Sequence, residues 1–406
     1  MGLGGGAADA CVRMALYSRT AALSFAVSMA IYLILFLGLL MWMSFMGSRV
    51  LMSLFALELG ASSAAIGMLI ALYGLGPLLL SVYSGKIADR FGSYQPIFFG
   101  LIGLAAGLVI PYLVPTFAAL CVAALLMGIA FVFLNIAMQN LVTSFGDAEA
   151  RTRNVSLQSL AISLAALLGP LLVGISIDHR GYVPTFLYLA LIVVCAWIGW
   201  MLCRRLVLRQ GRGGKHRAGG GIFNLLEQPR LRNVIVTSAL VVAGIDLYTF
   251  YMPIYGHAVG LSATMIGIVL GAHAAATFVV RVFLPQLLRR WNEDRVMTAS
   301  MLLAGATFLM FPFVERVTFL LLLSFVLGLG LGVGQPLSVI MTYNRAPAGR
   351  TGEALGLRFS LVNLTHMIIP LAFGTIGSAL GLVTVFLANS VLMLGGGYAH
   401  HRGAKK

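Results

Sequence analysis

The sequence predicts an all-α polytopic membrane protein of twelve transmembrane helices in two pseudo-symmetric six-helix bundles. Three observations predict it: an apolar excess that no soluble fold could bury, a dozen continuous apolar runs, and a set of matching residues at a constant offset. Of the 406 residues, 60% are apolar and only 10% are charged, whereas soluble domains are about a quarter charged. The excess must face lipid. Runs of roughly 20 apolar residues cross a bilayer as helices, and here they fall near 29–57, 63–84, 95–114, 116–141, 155–178, 183–203, 233–255, 262–284, 297–314, 318–341, 353–378 and 381–399. Their continuous apolarity excludes barrel strands, which alternate. Gly and Pro inside them are tolerated because neighbouring helices re-satisfy the backbone. The segment 21–28 reads as an interfacial lead-in to the first span, and the apolar run it opens is too long for a cleaved signal.

Charge orients the chain. With the amino terminus inside, 22 of the 27 Lys and Arg fall in inside segments, and only Arg180 and Arg316 fall outside. This positive-inside bias predicts cytoplasmic termini and an integral protein of a bacterial inner (plasma) membrane type. It also accounts for the net charge of +15 through anionic lipid headgroups, without nucleic acid. None of Cys11, Cys121, Cys195 and Cys203 falls in an outside loop, so no disulfide is expected. The sequence offers no metal-ligand cluster, no nucleophile beside a base and no paired acids. The expectation is therefore no enzyme, no metal and no cofactor.

The repeat has an offset of 200. Gly60, Ser62, Ile66 and Gly67 return as Gly260, Ser262, Ile266 and Gly267; Arg90 and Gly128 return as Arg290 and Gly328; Pro170, Gly174, Gly181 and Phe186 return as Pro370, Gly374, Gly381 and Phe386. The expected organisation is a bundle over 1–203, a basic cytoplasmic linker over 204–232 and a second bundle over 233–406. Two such repeats are a transporter architecture, with the substrate site at their interface near the midplane. The stretch 222–231 of the linker could lie as a short amphipathic helix on the membrane.

After the second span the chain reads Gly85-Lys86-Ile87-Ala88-Asp89-Arg90-Phe91-Gly92. This resembles the signature loop of the major facilitator superfamily, in the position where that family carries it. Two sharp turns would use Gly85 and Gly92, and Asp89 would meet a helix amino terminus across the interface between the halves. The family's following basic pair is replaced by Ser93 and Tyr94, and the second copy, Pro285 to Arg295, is degenerate. Proton-driven exporters of the family carry Gly-Pro and two close glycines in the fifth span. Gly169, Pro170 and Gly174 match, but Val173 stands where one Gly is expected. The same glycines can serve close helix packing alone.

Ionisable groups inside a membrane are costly, so each is a functional candidate. The candidates are Arg49, Asp246, His273, Arg281, Arg358 and His366. His273 and Arg281, and likewise Arg358 and His366, are about two helical turns apart, so each pair is expected on one face. The resemblance places both faces on the central cavity. Arg281 and Arg358 either line that cavity or snorkel to cytoplasmic headgroups. Gln139, Gln335 and Tyr248 are further substrate candidates, with interhelical packing or an aromatic belt as the alternative.

Depth adds one expectation. Arg49 is about 12 Å, and Asp246 about 13.5 Å, from the outer end of its span at 1.5 Å per residue. The two spans are repeat equivalents, and in the family that the chain resembles they meet on the outer side of the cavity, so the resemblance implies that this cation and the one acid inside a span approach each other when the outer side is closed. The functional expectation is a monomeric, proton-coupled secondary transporter of a small organic molecule, an organic acid or an amphipathic compound, with export as the direction. An organic-anion importer or exchanger is the alternative, and a non-transporting receptor or scaffold a remote one.

Overall fold

In the computed structural model, residues 5–145, 148–204, 225, 227–347 and 350–404 are described, without the side chains of 5–28, Val82, Asp89, 148–152, 351–352 and 404. Twelve long helices carry the chain: α1 (Gly5–Glu58), α2 (Ser63–Phe91), α3 (Tyr94–Leu113), α4 (Phe117–Ser144), α5 (Ala148–Arg180), α6 (Tyr182–Leu202), α7 (Pro229–Ala258), α8 (Ala263–Arg290), α9 (Glu293–Met310), α10 (Val317–Arg345), α11 (Thr351–Leu380) and α12 (Leu382–Ala404). Each contains a stretch long and apolar enough to cross a membrane.

Two boundaries differ from expectation. The segment 21–28 is no separate lead-in, because α1 is one continuous helix of 54 residues. Nor does Gly85 make a sharp turn: α2 runs on to Phe91, and only Gly92, at φ 74°, turns the chain. Nothing from Lys86 to Phe91 breaks a helix, and Arg90 complements the carboxyl end of the helix dipole. Most of the expected linker, 205–224 and 226, lies outside the described residues, and with it most of the expected amphipathic helix. Leu225 is buried with Leu231, Ile235 and Ala354, which anchors the chain entering α7 beneath α11.

The repeat reappears as matching local structure. Gly60 and Gly260 adopt φ of 78° and 80°, a left-handed conformation that glycine takes without a Cβ clash. Two residues later Ser62 and Ser262 cap α2 and α8, accepting from Ala65 N and Met265 N at 3.3 Å each. Gly128 lies against the Tyr73 carbonyl and Gly328 against the His273 carbonyl, so α2–α4 and α8–α10 pack alike.

The two sets of helices meet along α2–α11, α5–α8 and α1–α7. These seams are tight at the charge-poor end, which carries Gly60, Gly181, Gly260 and Gly381. A Cβ on Gly67 would stand 2.5 Å from the Pro370 carbonyl, and one on Gly267 2.7 Å from that of Pro170. Toward the basic end, Gly85 and Gly356 have nothing within 4 Å of a Cβ position. The molecule is close-packed at one end between α2 and α11, and toward the other end the Gly85 and Gly356 positions of the same two helices are open.

Candidate coupling site between the halves

Among the described residues, the buried acid of the spans, Asp246, sits at the α1–α7 seam. Asp246 on α7 is 2% exposed, the one buried acid of that helix. Arg49 Nη2 on α1 approaches its Oδ1 at 3.6 Å, and His366 Nδ1 on α11 hydrogen-bonds its Oδ2. The Arg49 guanidinium also lies 4.2 Å above the Phe250 ring, one turn from Asp246. Arg49 Nε is buried without a partner. Asp246 therefore joins three helices, one of them from the other repeat, while the 30% exposed His366 is the member that reaches open space.

His366 is the contact that the sequence reading did not foresee. The signal was present, since His366 lies 14 residues from the end of α11 and Asp246 12 from the end of α7. At 1.5 Å per residue that puts them about 21 Å and 18 Å from the ends of their helices, within about one turn of the same level. Gly74 on α2 keeps this region close-packed, as a Cβ there would stand 3.0 Å from the His366 carbonyl.

The two basic ladders do not hold as single faces. Eight residues are about 80° beyond two full turns. His366 accordingly reaches α7, whereas Arg358 reaches α10, donating to Ser338 Oγ at 2.7 Å and to the Gln335 carbonyl at 3.5 Å. Arg358 is 5% exposed. Arg281 donates to the Gly332 carbonyl of α10 at 3.2 Å and to Ser163 Oγ of α5 at 2.9 Å. Both guanidinium groups are bound inside the bundle rather than extended to headgroups. His273 tilts against the Tyr248 ring, 4.5 Å between centroids, with Nδ1 buried and unpaired.

Tyr248 leaves the list of substrate candidates. It is fully buried, and its hydroxyl is used on the Val269 carbonyl at 3.2 Å. Gln139 and Gln335 are half-buried on α4 and α10. Gly169 packs on the Met43 carbonyl of α1, Pro170 receives Gly267, and Gly174 touches Ala263 and Thr264 of α8. Within the exporter-like motif, Gly169 thus packs α5 on α1, while Pro170 and Gly174 belong to the α5–α8 seam. Arg90 is exposed and lies 5.2 Å over the Phe91 ring, and the Asp89 side chain lies outside the described residues. A further unforeseen contact closes the charge-poor end: Asp178 of α5 accepts from Ala263 N at 3.1 Å and Thr264 N at 2.8 Å, capping the first turn of α8.

Twelve spanning helices in two matching sets, closed at one end over a buried ion-paired acid, define a polytopic membrane transporter. The family model described as Major Facilitator Superfamily matches residues 34–314 and 258–399. The chain belongs to the Major Facilitator Superfamily, whose members move small molecules across membranes. Among curated relatives, it is 21% identical over 322 residues to Multidrug resistance protein 1 of Bacillus subtilis, covering 78% of this chain and 82% of that one. It is 19% identical over 341 residues to Quinolone resistance protein NorA of Staphylococcus aureus, covering 83% and 87%. Among solved structures, the peptide transporter POT in complex with sulfate superposes with a TM-score of 0.79 at 15% identity, over 93% of this chain and 94% of that one. The nucleoside transporter NupG superposes at 0.77 and 14% identity, over 93% and 99%. At these identities the structural likeness speaks for the fold alone.

Proposed function

We propose that this transporter exports a small organic acid or anionic amphipath in exchange for protons, with Arg49, Asp246 and His366 as the coupling element. The observation that carries the reading is the sharing of one buried carboxylate between a cation of the other half and a partly exposed histidine. A proton arriving through His366 and settling on Asp246 removes the charge that holds Arg49. The α1–α7 seam loosens, and the charge-poor end is free to open. Arg49, with an Nε still unpaired, then offers its charge to an anion.

The substrate class follows from charge. Arg49, Arg281 and Arg358 outnumber Asp246 deep inside the described spans, so the path is rich in positive charge. Export is supported by the two relatives named for drug and quinolone resistance and by the Gly169-Pro170-Gly174 motif. The basic end, where Gly85 of α2 and Gly356 of α11 face open space, is read as cytoplasmic from the Lys and Arg bias. The protein then stands inward-facing as a monomer in a bacterial plasma membrane, with both termini inside. A pH-independent exchanger or importer of organic anions is the second reading, favoured by the same excess of arginine.

The test uses purified protein in proteoliposomes, with aryl carboxylates set against lipophilic cations as probes and an internal pH dye. The expected result is carboxylate movement driven by a pH gradient in the wild type. In Asp246→Asn, counterflow of the same probe should persist while gradient-driven transport and proton movement are lost. A variant that still follows the pH gradient would remove Asp246 from coupling. Wild-type counterflow without any pH response would favour the exchanger, and preference for cations would refute the substrate class.

A further inference from the structure

Pro336 stands inside α10. A proline there has no N–H to give the carbonyl four residues back, which belongs to Gly332. In lipid, with no water to replace the bond, a freed carbonyl must find another donor. Arg281 of α8 is that donor, through Nε at 3.2 Å. One turn away, Thr277 Oγ1 donates to the Gly328 carbonyl at 3.3 Å, so α8 lines α10 with donors at one-turn spacing. The approach depends on glycine: a Cβ at Gly332 would stand 2.8 Å from the Thr277 Cα.

The second arm of Arg281 leaves its own half. Nη1 donates to Ser163 Oγ of α5 at 2.9 Å, and that hydroxyl donates onward to the Ser159 carbonyl at 3.0 Å. The internal repeat provides a comparison. The positions equivalent to Arg281, Gly332 and Pro336 are Ser81, Val132 and Ile136. The first half has no proline at this point of α4 and no cation facing it. Ile136 keeps its N–H, and the Val132 carbonyl needs only a light contact from Ser84 Oγ, 3.4 Å. The proline and the arginine occur together or not at all.

We propose that Arg281 is a positioning residue for transport: it supplies the donor that Pro336 withholds and fastens α10, at its proline turn, to α5 of the opposite half. Through it, bending of α10 and sliding of the α5–α8 seam become one movement. Arg281 serves in this way as a connector between moving parts rather than as a substrate ligand, and this holds whichever substrate and coupling ion the protein uses.

The test compares Arg281→Met, Pro336→Ala, the double variant and Ser163→Ala in the full-length protein. Thermal stability in detergent is read alongside the spin-label distance distribution between cysteines placed at Asn140 and Tyr343, in a background without the native cysteines. Arg281→Met should lower Tm by several degrees. Pro336→Ala in the same chain should recover most of that loss, because the new N–H at 336 reaches Gly332. Ser163→Ala should leave Tm near wild type and broaden the distance distribution, which a merely structural hydrogen bond would not do. If Arg281→Met does not fold alone, recovery of folded protein in the double variant is the same positive result. No recovery with Pro336→Ala, or a wild-type distribution in Ser163→Ala, would overturn the proposal.

Discussion

Asp246 places a carboxyl group at a depth where charge is expensive, beside a guanidinium and an imidazole that offset the cost. Removing one partner of a buried pair leaves the other uncompensated, which costs about 3–5 kcal/mol, while removing both can be nearly neutral. Arg49→Met should therefore lower Tm sharply, and adding Asp246→Asn to it should restore most of the loss. Melting of the two variants and the wild type in detergent checks this, and equal melting of the single and double variants would show that the pair is not felt. Residue type and depth made Arg49, Asp246 and their shared level legible in the sequence. What was not legible is which neighbour each long side chain selects. Arg358 and His366 share a helix and a spacing, yet the 80° between them sends one to Ser338 and the other to Asp246. The partner of Arg281 was hidden for another reason: it is a backbone carbonyl, exposed by a proline 55 residues away in sequence, and no pattern of side chains announces it.

At the scale of helices, the glycines divide into those that touch a neighbour and those that do not. Gly267 and Gly67 hold α8 against α5 and α2 against α11 with backbone-to-backbone contact. Gly267→Val should push α8 from Pro170 and lower Tm, since neither backbone can give way. Gly85 has open space around its Cβ position and lies within α2. Gly85→Ala should stabilise by about 0.4–1 kcal/mol through the unfolded state; a loss of stability comparable to Gly267→Val would restore the turn role suggested by the family resemblance. Asp178 makes a third case, because its carboxylate caps α8 from the opposite half. Asp178→Ala should cost about 1 kcal/mol and raise labelling of a cysteine at Thr264 by an impermeant thiol reagent from the charge-poor side. Unchanged labelling would mean that the cap does not restrain opening. The number and order of the helices were legible because apolar runs and lipid thickness leave little choice. The far ends of α1 and α2 were not, because a helix can continue past the membrane wherever nothing in the sequence stops it.

For the whole molecule, the seams close at the charge-poor end and the Lys and Arg gather at the other. The proposed orientation predicts that a cysteine at Arg316 reacts with an impermeant reagent added to intact cells, whereas one at Arg290 reacts only after the membrane is opened; the reverse pattern would invert the reading of direction. The central claim is that the Arg49–Asp246 pair handles charge during the cycle and is not a fixed brace. The most direct measurement is proton movement with an aryl carboxylate probe in proteoliposomes carrying the charge-swapped variant, Arg49→Asp with Asp246→Arg. The swap preserves an ion pair across α1 and α7, but it sets the arginine beside His366 and moves the carboxylate away from it. The swapped protein should fold, melt close to wild type and no longer couple probe to protons. Coupled transport at wild-type rates in the swapped protein would contradict that claim and leave the pair a permanent structural bridge.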